Sequence, residues 1–331
     1  MRRFFMSSMF FIVIFAFWVI GVDFAEASAP NFNVQAVLPS SQTNPKVSYF
    51  DVTLKPEQEE NLGVIITNNT QEEMTLDINI NTATTNSNGV INYGFSEETP
   101  DNTLPIDFSE IATVESPTVT LAAEESRLVE VQVVMPSQSF DGVLLGGITI
   151  SEQTEQGSTQ ITNRFSYALA VVIHQTDQEV LPKVDLTQVQ AEQRNRRNFV
   201  VASVQNQTAM ILGDVSIEAE VFKQGEDTAL FTAVRSDMRM APSSTLPFGV
   251  STGTKPLEAG IYRMELVMTS GEDKWQFEKE FEITAKEARQ LNEQAVNLET
   301  DNTRLYLIIT GAVVAILVGI IGWLIYTRRK K

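Results

Sequence analysis

The sequence predicts an all-β protein of two tandem immunoglobulin-like β-sandwich domains, followed by a helical stalk and one C-terminal transmembrane helix. Three observations predict it. Between residues 30 and 285, short runs of Val, Ile, Thr, Phe and Tyr alternate with polar residues and are broken by Gly, Pro, Asn and Asp, the pattern of antiparallel strands with one packed face and one wet face. After 285 the period changes: Ala288, Leu291, Ala295 and Leu298 recur at spacings of three and four, a helical stripe. Leu305 to Tyr326 is then an uncharged apolar run, and at about 1.5 Å per residue a helix of that length spans the roughly 30 Å of bilayer hydrocarbon.

The two ends agree on orientation. Arg2 and Arg3 precede the apolar stretch Phe4 to Ile20, and small residues follow as Ala25-Glu26-Ala27 and Ala27-Ser28-Ala29. Residues 1–29 therefore read as a secretory signal peptide, with cleavage after Ala27 or after Ala29 both open. The tail 327–331 holds Arg328, Arg329, Lys330 and Lys331, the kind of segment that stays in the cytoplasm. No Leu-Pro-x-Thr-Gly precedes the apolar run, where Leu298 to Arg304 stand instead. The expectation is a single-pass type I protein of the cell membrane, its C-terminus cytoplasmic and its domains extracytoplasmic at the cell wall.

Composition narrows the partners. The formal net charge is −18, and the terminal arginines and lysines are excluded from the exported part, which is more acidic still. Nucleic acid needs the opposite sign and is set aside. The chain has no cysteine, so stability must come from buried apolar surface, and cysteine-free export is common in Gram-positive bacteria. Asn68-Asn69-Thr70 and Asn206-Gln207-Thr208 match the N-glycosylation pattern, which would matter only in a glycosylating host.

Along the chain, the first sandwich is expected over 30–176. Its clearer strands are Tyr49 to Leu54, Leu62 to Thr67, Met74 to Asn81 and Leu128 to Val134, and a hairpin of Gly142 to Ser151 with Arg164 to His174 closes it. A boundary inside the polar loop 152–159 competes with one at Gln175 to Pro182. The second sandwich is expected over 177–285, with strands at Phe199 to Gln205, Val215 to Phe222, Ala229 to Val234, Leu246 to Val250, Ile261 to Met268 and Trp275 to Ile283. Residues 286–304 form the stalk, lying against the second sandwich or rising from the bilayer.

Chemistry-bearing constellations are sparse. The one histidine, His174, has no Cys partner and no Gly-x-Ser-x-Gly elbow beside it, so a nucleophile–base pair is not expected, nor is an enzyme. Zinc sites draw on several His or Cys ligands. Asp101-Asn102 with Asp107 is the nearest approach to an oxygen-rich cation loop and reads as an ordinary polar loop; no metal and no cofactor is expected. Gly146-Gly147 lies inside an apolar strand, where glycine marks a bulge or a close approach.

Several segments, taken together, resemble the WxL-interacting proteins of Gram-positive surfaces. They include Phe32-Asn33-Val34, Tyr49-Phe50-Asp51, Asn79 through Gly89, Phe140 through Ile148, Asn206-Gln207-Thr208-Ala209, Met238 through Ser244, Gly260-Ile261-Tyr262, Trp275-Gln276-Phe277 and Ile283 through Ala288. One departure is Glu57, where the family often places glycine after Lys55-Pro56. The resemblance implies a non-enzymatic adaptor with a peptidoglycan-binding first domain and a host-binding second domain. The partners it implies are peptidoglycan, secreted proteins with a Trp-x-Leu wall-binding domain, and host extracellular components. A membrane-tethered chaperone or assembly factor for surface proteins is the alternative in a different class.

Two surfaces are candidates for binding. The segment Asn86 to Phe108 is long for a sandwich connection and sets Tyr93, Phe95 and Phe108 among Asn, Thr and Asp, a composition suited to holding wall glycan; the same aromatics could instead pack beneath the loop. Arg194, Arg196 and Arg197 form a dense basic cluster, either a solvated turn or a docking patch for an acidic protein partner.

Overall fold

The computed structural model of the chain describes residues 30–95, 101–153, 165–296, 298–299 and 310–320. The signal-peptide segment 1–29 and the tail 327–331 lie outside them. Residues 310–320 are helical, and among the described residues no helix is long and apolar enough to cross a membrane. The rest of 305–326 is outside the described residues.

Strand alternation dictates the first sandwich. One sheet runs in the order β1 (Phe32–Val37), β3 (Glu59–Asn68), β9 (Ser126–Val134), β7 (Ala112–Val114). The facing sheet runs β2 (Phe50–Thr53), β11 (Ser166–His174), β10 (Val143–Glu152), β4 (Met74–Thr82), β8 (Thr118–Leu121). Phe50, Val52 and Leu54 are fully buried, while Asp51 and Thr53 between them are not, as period-two alternation requires. Both sheets feed one core that includes Phe32, Leu62 and Ile66 from the first and Leu76, Ile148 and Val171 from the second. The Phe32 and Tyr167 rings close it edge to face at 5.1 Å. β10 and β11 pair antiparallel, and β2 then adds beside β11 in parallel.

A small hairpin, β5 (Thr84–Thr85) with β6 (Ile91–Asn92), leaves the end of β4.

The second sandwich places β12 (Val184–Arg194), β13 (Arg197–Asn206) and β16 (Ser244–Ser251) in one sheet. Its partner sheet is β15 (Phe231–Met240), β14 (Leu212–Lys223), β17 (Gly260–Ser270), β18 (Asp273–Ile283). Val204, Phe248, Val221 and Met264 are among the residues of its core. Tyr262 is 2% exposed and its hydroxyl donates to Glu258 O at 2.8 Å, the tyrosine-corner arrangement of immunoglobulin-like sandwiches.

The helix after β18 spans Ala285–Gln294 and starts with a capping box between Thr284 and Glu287. It lies against the second sandwich: Ala288 is buried, and Asn292 exchanges hydrogen bonds with both the N–H and the carbonyl of Leu257. The helix stops earlier than the stripe predicts, because the chain beyond it bonds to the sandwich. Val296 N donates to Arg196 O, and Glu299 N donates to Thr254 O.

Candidate functional site

The paired glycines of β10 explain where the sandwiches meet. Successive strand residues face opposite ways, so Gly146 faces the core and Gly147 the outside. A Cβ on Gly146 would run into the Phe108 ring, and one on Gly147 into Tyr93. Phe108 is fully buried, and Asp107 before it caps the short helix Phe108–Ile111. Tyr93 and Phe108 thus pack on opposite faces of β10.

On the outer side a second cluster forms from Ala83, Leu145 and Ala241, with Tyr93, Val143 and Ile211 against it. It joins the two sandwiches. Backbone approach is close: Val143 N donates to Ala209 O at 2.6 Å, and Gly142, with φ +89, leaves no room for a Cβ against that same oxygen. The β5–β6 hairpin crosses to the second sandwich. Arg235 Nη1 donates to Ser87 O at 2.7 Å, and Arg239 N to Gly89 O at 2.8 Å. Asp101 is captured from the other side, by Gln205 Nε2 on Oδ1 at 2.7 Å and Thr245 Oγ1 on Oδ2 at 2.8 Å.

Between these contacts lies a cleft of about 340 Å³. Asn81, Thr82 and Thr84 line it from β4 and β5, Asp101, Asp107 and Ser109 from the segment before β7, and Ser243, Ser244 and Thr245 from the second sandwich. Phe95 stands in its lining with 77% of its surface exposed. Thr82 Oγ1 and the Ser109 N–H and hydroxyl all donate to Asp107 Oδ1. Burial pushes the Asp107 carboxyl up, but these hydrogen bonds outweigh it and hold its pKa below the ordinary carboxylate value. Burial pushes the Tyr93 hydroxyl up, which Arg239 only partly offsets.

The expected site residues therefore separate. Phe95 is on the surface at the cleft, Tyr93 is partly buried in the interdomain cluster, and Phe108 is in the core. Arg194 is half-buried, with Nη1 on Pro247 O at 3.0 Å and its guanidinium 5.9 Å from the Phe199 ring centre. Arg196 and Arg197 are exposed at the β12–β13 turn, where Asn195 and Arg196 both take positive φ, the backbone a two-residue hairpin demands. His174 Nε2 lies 3.3 Å from Asp51 Oδ1 at a strand end. Thr245 carried no sequence signal and Ser243 only the family resemblance of Met238 through Ser244; as chemistry, a Ser-Ser-Thr run resembles any polar turn.

Two sandwiches fastened across a shared polar cleft define a two-domain binding protein. Residues 32–152 match the family model of the WxL Interacting Protein peptidoglycan binding domain, and residues 156–293 that of the WxL Interacting Protein host binding domain. The chain belongs to the WxL-interacting protein family. The division between the matched stretches falls before β11, although β11 is built into the first sandwich. No curated protein matches the chain. Solved structures that match the chain weakly include the YadV chaperone, at 11% identity over 76% of this chain and 100% of that one, TM-score 0.31. The E. coli chaperone DraB is 15% identical over 76% and 98% of the chains, TM-score 0.29. The Pseudomonas aeruginosa CupB2 chaperone is 14% identical over 69% and 96%, TM-score 0.29. Similarity at that level says nothing of what this chain binds.

Proposed function

We propose that the protein is a non-enzymatic adaptor of the Gram-positive cell surface, held in the membrane by Leu305 to Tyr326, that binds peptidoglycan and Trp-x-Leu-domain proteins and presents a second domain to host extracellular components. The observation that carries this is the succession, in one chain, of a peptidoglycan-binding and a host-binding family domain. An apolar C-terminal run with a basic tail supports the anchor. The domain limits of this reading are 30–176, 177–285 and 286–304, with β11 kept in the first sandwich. Tyr93 and Phe95 support the wall contact, with Phe95 as the exposed ring. Arg196 and Arg197, beside Arg194, support docking of an acidic partner. Attachment at several weak points strengthens retention greatly without any single tight site.

The test uses the full chain in detergent, incubated with purified peptidoglycan sacculi and, separately, with secreted Trp-x-Leu-domain proteins. Co-sedimentation with sacculi and capture of a Trp-x-Leu protein are expected. Release of soluble wall fragments, or no retention by either, overturns the reading.

A further inference from the structure

The interdomain cleft has a feature that its internal bonding does not use. Ser243 is 3% exposed and lines the cleft, yet its hydroxyl has no hydrogen-bond partner among the described residues. Its neighbours do: Ser244 donates to Ala241 O, and Thr245 to Asp101. Ser243 is also held at φ 44, a conformation non-glycine residues rarely adopt without a reason. An unpartnered buried hydroxyl on a residue that lines an open polar cleft is a group left for a ligand to engage.

The lining defines that ligand. Among the described lining residues the charged groups are Asp101 and Asp107, with no Lys, Arg or His. An anionic ligand would meet two carboxylates and no counter-charge, which excludes phosphate-bearing polymers and free carboxylates from this cleft. The Ser243 hydroxyl can give or take a hydrogen bond, and the hydroxyl oxygens of Thr82, Ser109 and Thr245, whose protons go to Asp107 and Asp101, can accept one. The donors Thr82 and Ser109 converge on Asp107 Oδ1, and Oδ2 takes none of those bonds. The exposed Phe95 ring offers an apolar face beside these groups. The volume falls within the range of small-ligand sites.

Resting on the peptidoglycan-binding reading above, we propose that this cleft seats one neutral acetamido sugar of the wall glycan, and that both sandwiches build the seat. The first supplies Asn81, Asp107 and Phe95; the second supplies Ser243 and Thr245. The second domain then contributes directly to wall binding, and the fixed pose of the two sandwiches is a condition for it.

The experiment measures binding of the full chain in detergent to sacculi and to soluble N-acetylglucosamine oligomers, beside Ser243→Ala and Phe95→Ala. Removing an unpartnered hydroxyl leaves the melting temperature unchanged or raises it, so a merely structural Ser243 predicts no loss of binding. The expected result is about fivefold weaker binding in each variant, the effect of one lost hydrogen bond or one lost ring contact, with N-acetylglucosamine oligomers competing against sacculi. Wild-type retention on sacculi with both variants unchanged overturns the cleft and leaves the adaptor intact. Competition by the free stem peptide but not by the sugar overturns the ligand class. Failure of the wild type to bind sacculi overturns the adaptor reading itself.

Discussion

Thr85 Oγ1 in the β5–β6 hairpin lies 2.6 Å from Ser244 Oγ in the second sandwich, and both residues are buried. Ser244 gives its proton to Ala241 O at 2.8 Å, so Thr85 is the donor between the two hydroxyls. Thr85 in turn accepts from Ala241 N at 2.9 Å. Thr85→Val keeps the shape and leaves the Ala241 N–H without a partner. A loss of about 1–3 kcal/mol is expected, read as a lower melting temperature and faster hydrogen exchange at the Ala241 amide, with Thr85→Ser close to wild type.

Gly142→Ala tests the docking itself. The new Cβ meets the Ala209 carbonyl, and φ +89 is unfavourable for alanine. The two sandwiches should separate while each keeps its own core, so X-ray scattering should report a larger radius of gyration with little change in the strand signal by circular dichroism. An unchanged radius would mean the backbone contact does not hold the pose.

Glu57 stands at φ 63, in a turn where Gln58 N donates to Lys55 O. Left-handed backbone costs a non-glycine residue about 1–2 kcal/mol, and glycine returns part of that through its unfolded-state entropy. Glu57→Gly should therefore stabilise the first sandwich by about 0.5–1 kcal/mol, seen as an upward shift in the denaturation midpoint.

Asp107 sets an acid limit. Its folded pKa lies below the unfolded value of 3.8, so its stabilising contribution is complete above that value and disappears as pH falls through the depressed one. Wild type should lose more stability than Asp107→Asn when urea midpoints at about pH 5 and about pH 2.5 are compared. Equal losses would show that the Thr82 and Ser109 bonds do not favour the ionised form.

Asn206 and Asn68 make the same corner in the two sandwiches. Asn206 Nδ2 donates to Met210 O and Ala241 O while Oδ1 accepts from Thr208; Asn68 Nδ2 donates to Glu72 O and Ala122 O while Oδ1 accepts from Thr70. Both are buried to within 1%. Asn206→Ala should cost about 2–3 kcal/mol by chemical denaturation, and both amides are too enclosed to carry a glycan.

That corner shows what sequence could and could not supply. Alternation alone places Phe50, Val52 and Leu54 inside, since one face of a strand must be dry. The Asn-x-Thr triplets are legible as residues, but their text is the same whether the amide faces water or two carbonyls. Gly146-Gly147 announces a close approach without saying to what; only the fold brings Phe108 to one side and Tyr93 to the other. The interdomain cleft is built of Ser, Thr, Asn and Asp, residues equally at home in any exposed turn, so nothing in their order separates Ser243 from a solvated loop. Arg194 belongs to a basic triplet in sequence, yet its fork is occupied by Pro247 O and Glu192.

The bonds from Val296 to Arg196 and from Glu299 to Thr254 fix where the chain leaves the second sandwich. β13 runs from that edge to Asn206, beside the contact with the first sandwich, and eight residues of strand from Phe199 cover roughly 23 Å. The interdomain cleft, lined by Ser244 and Thr245 opposite Asn206 and Gln205, thus lies at the far end of the second sandwich from the point where residues 296–299 are bound.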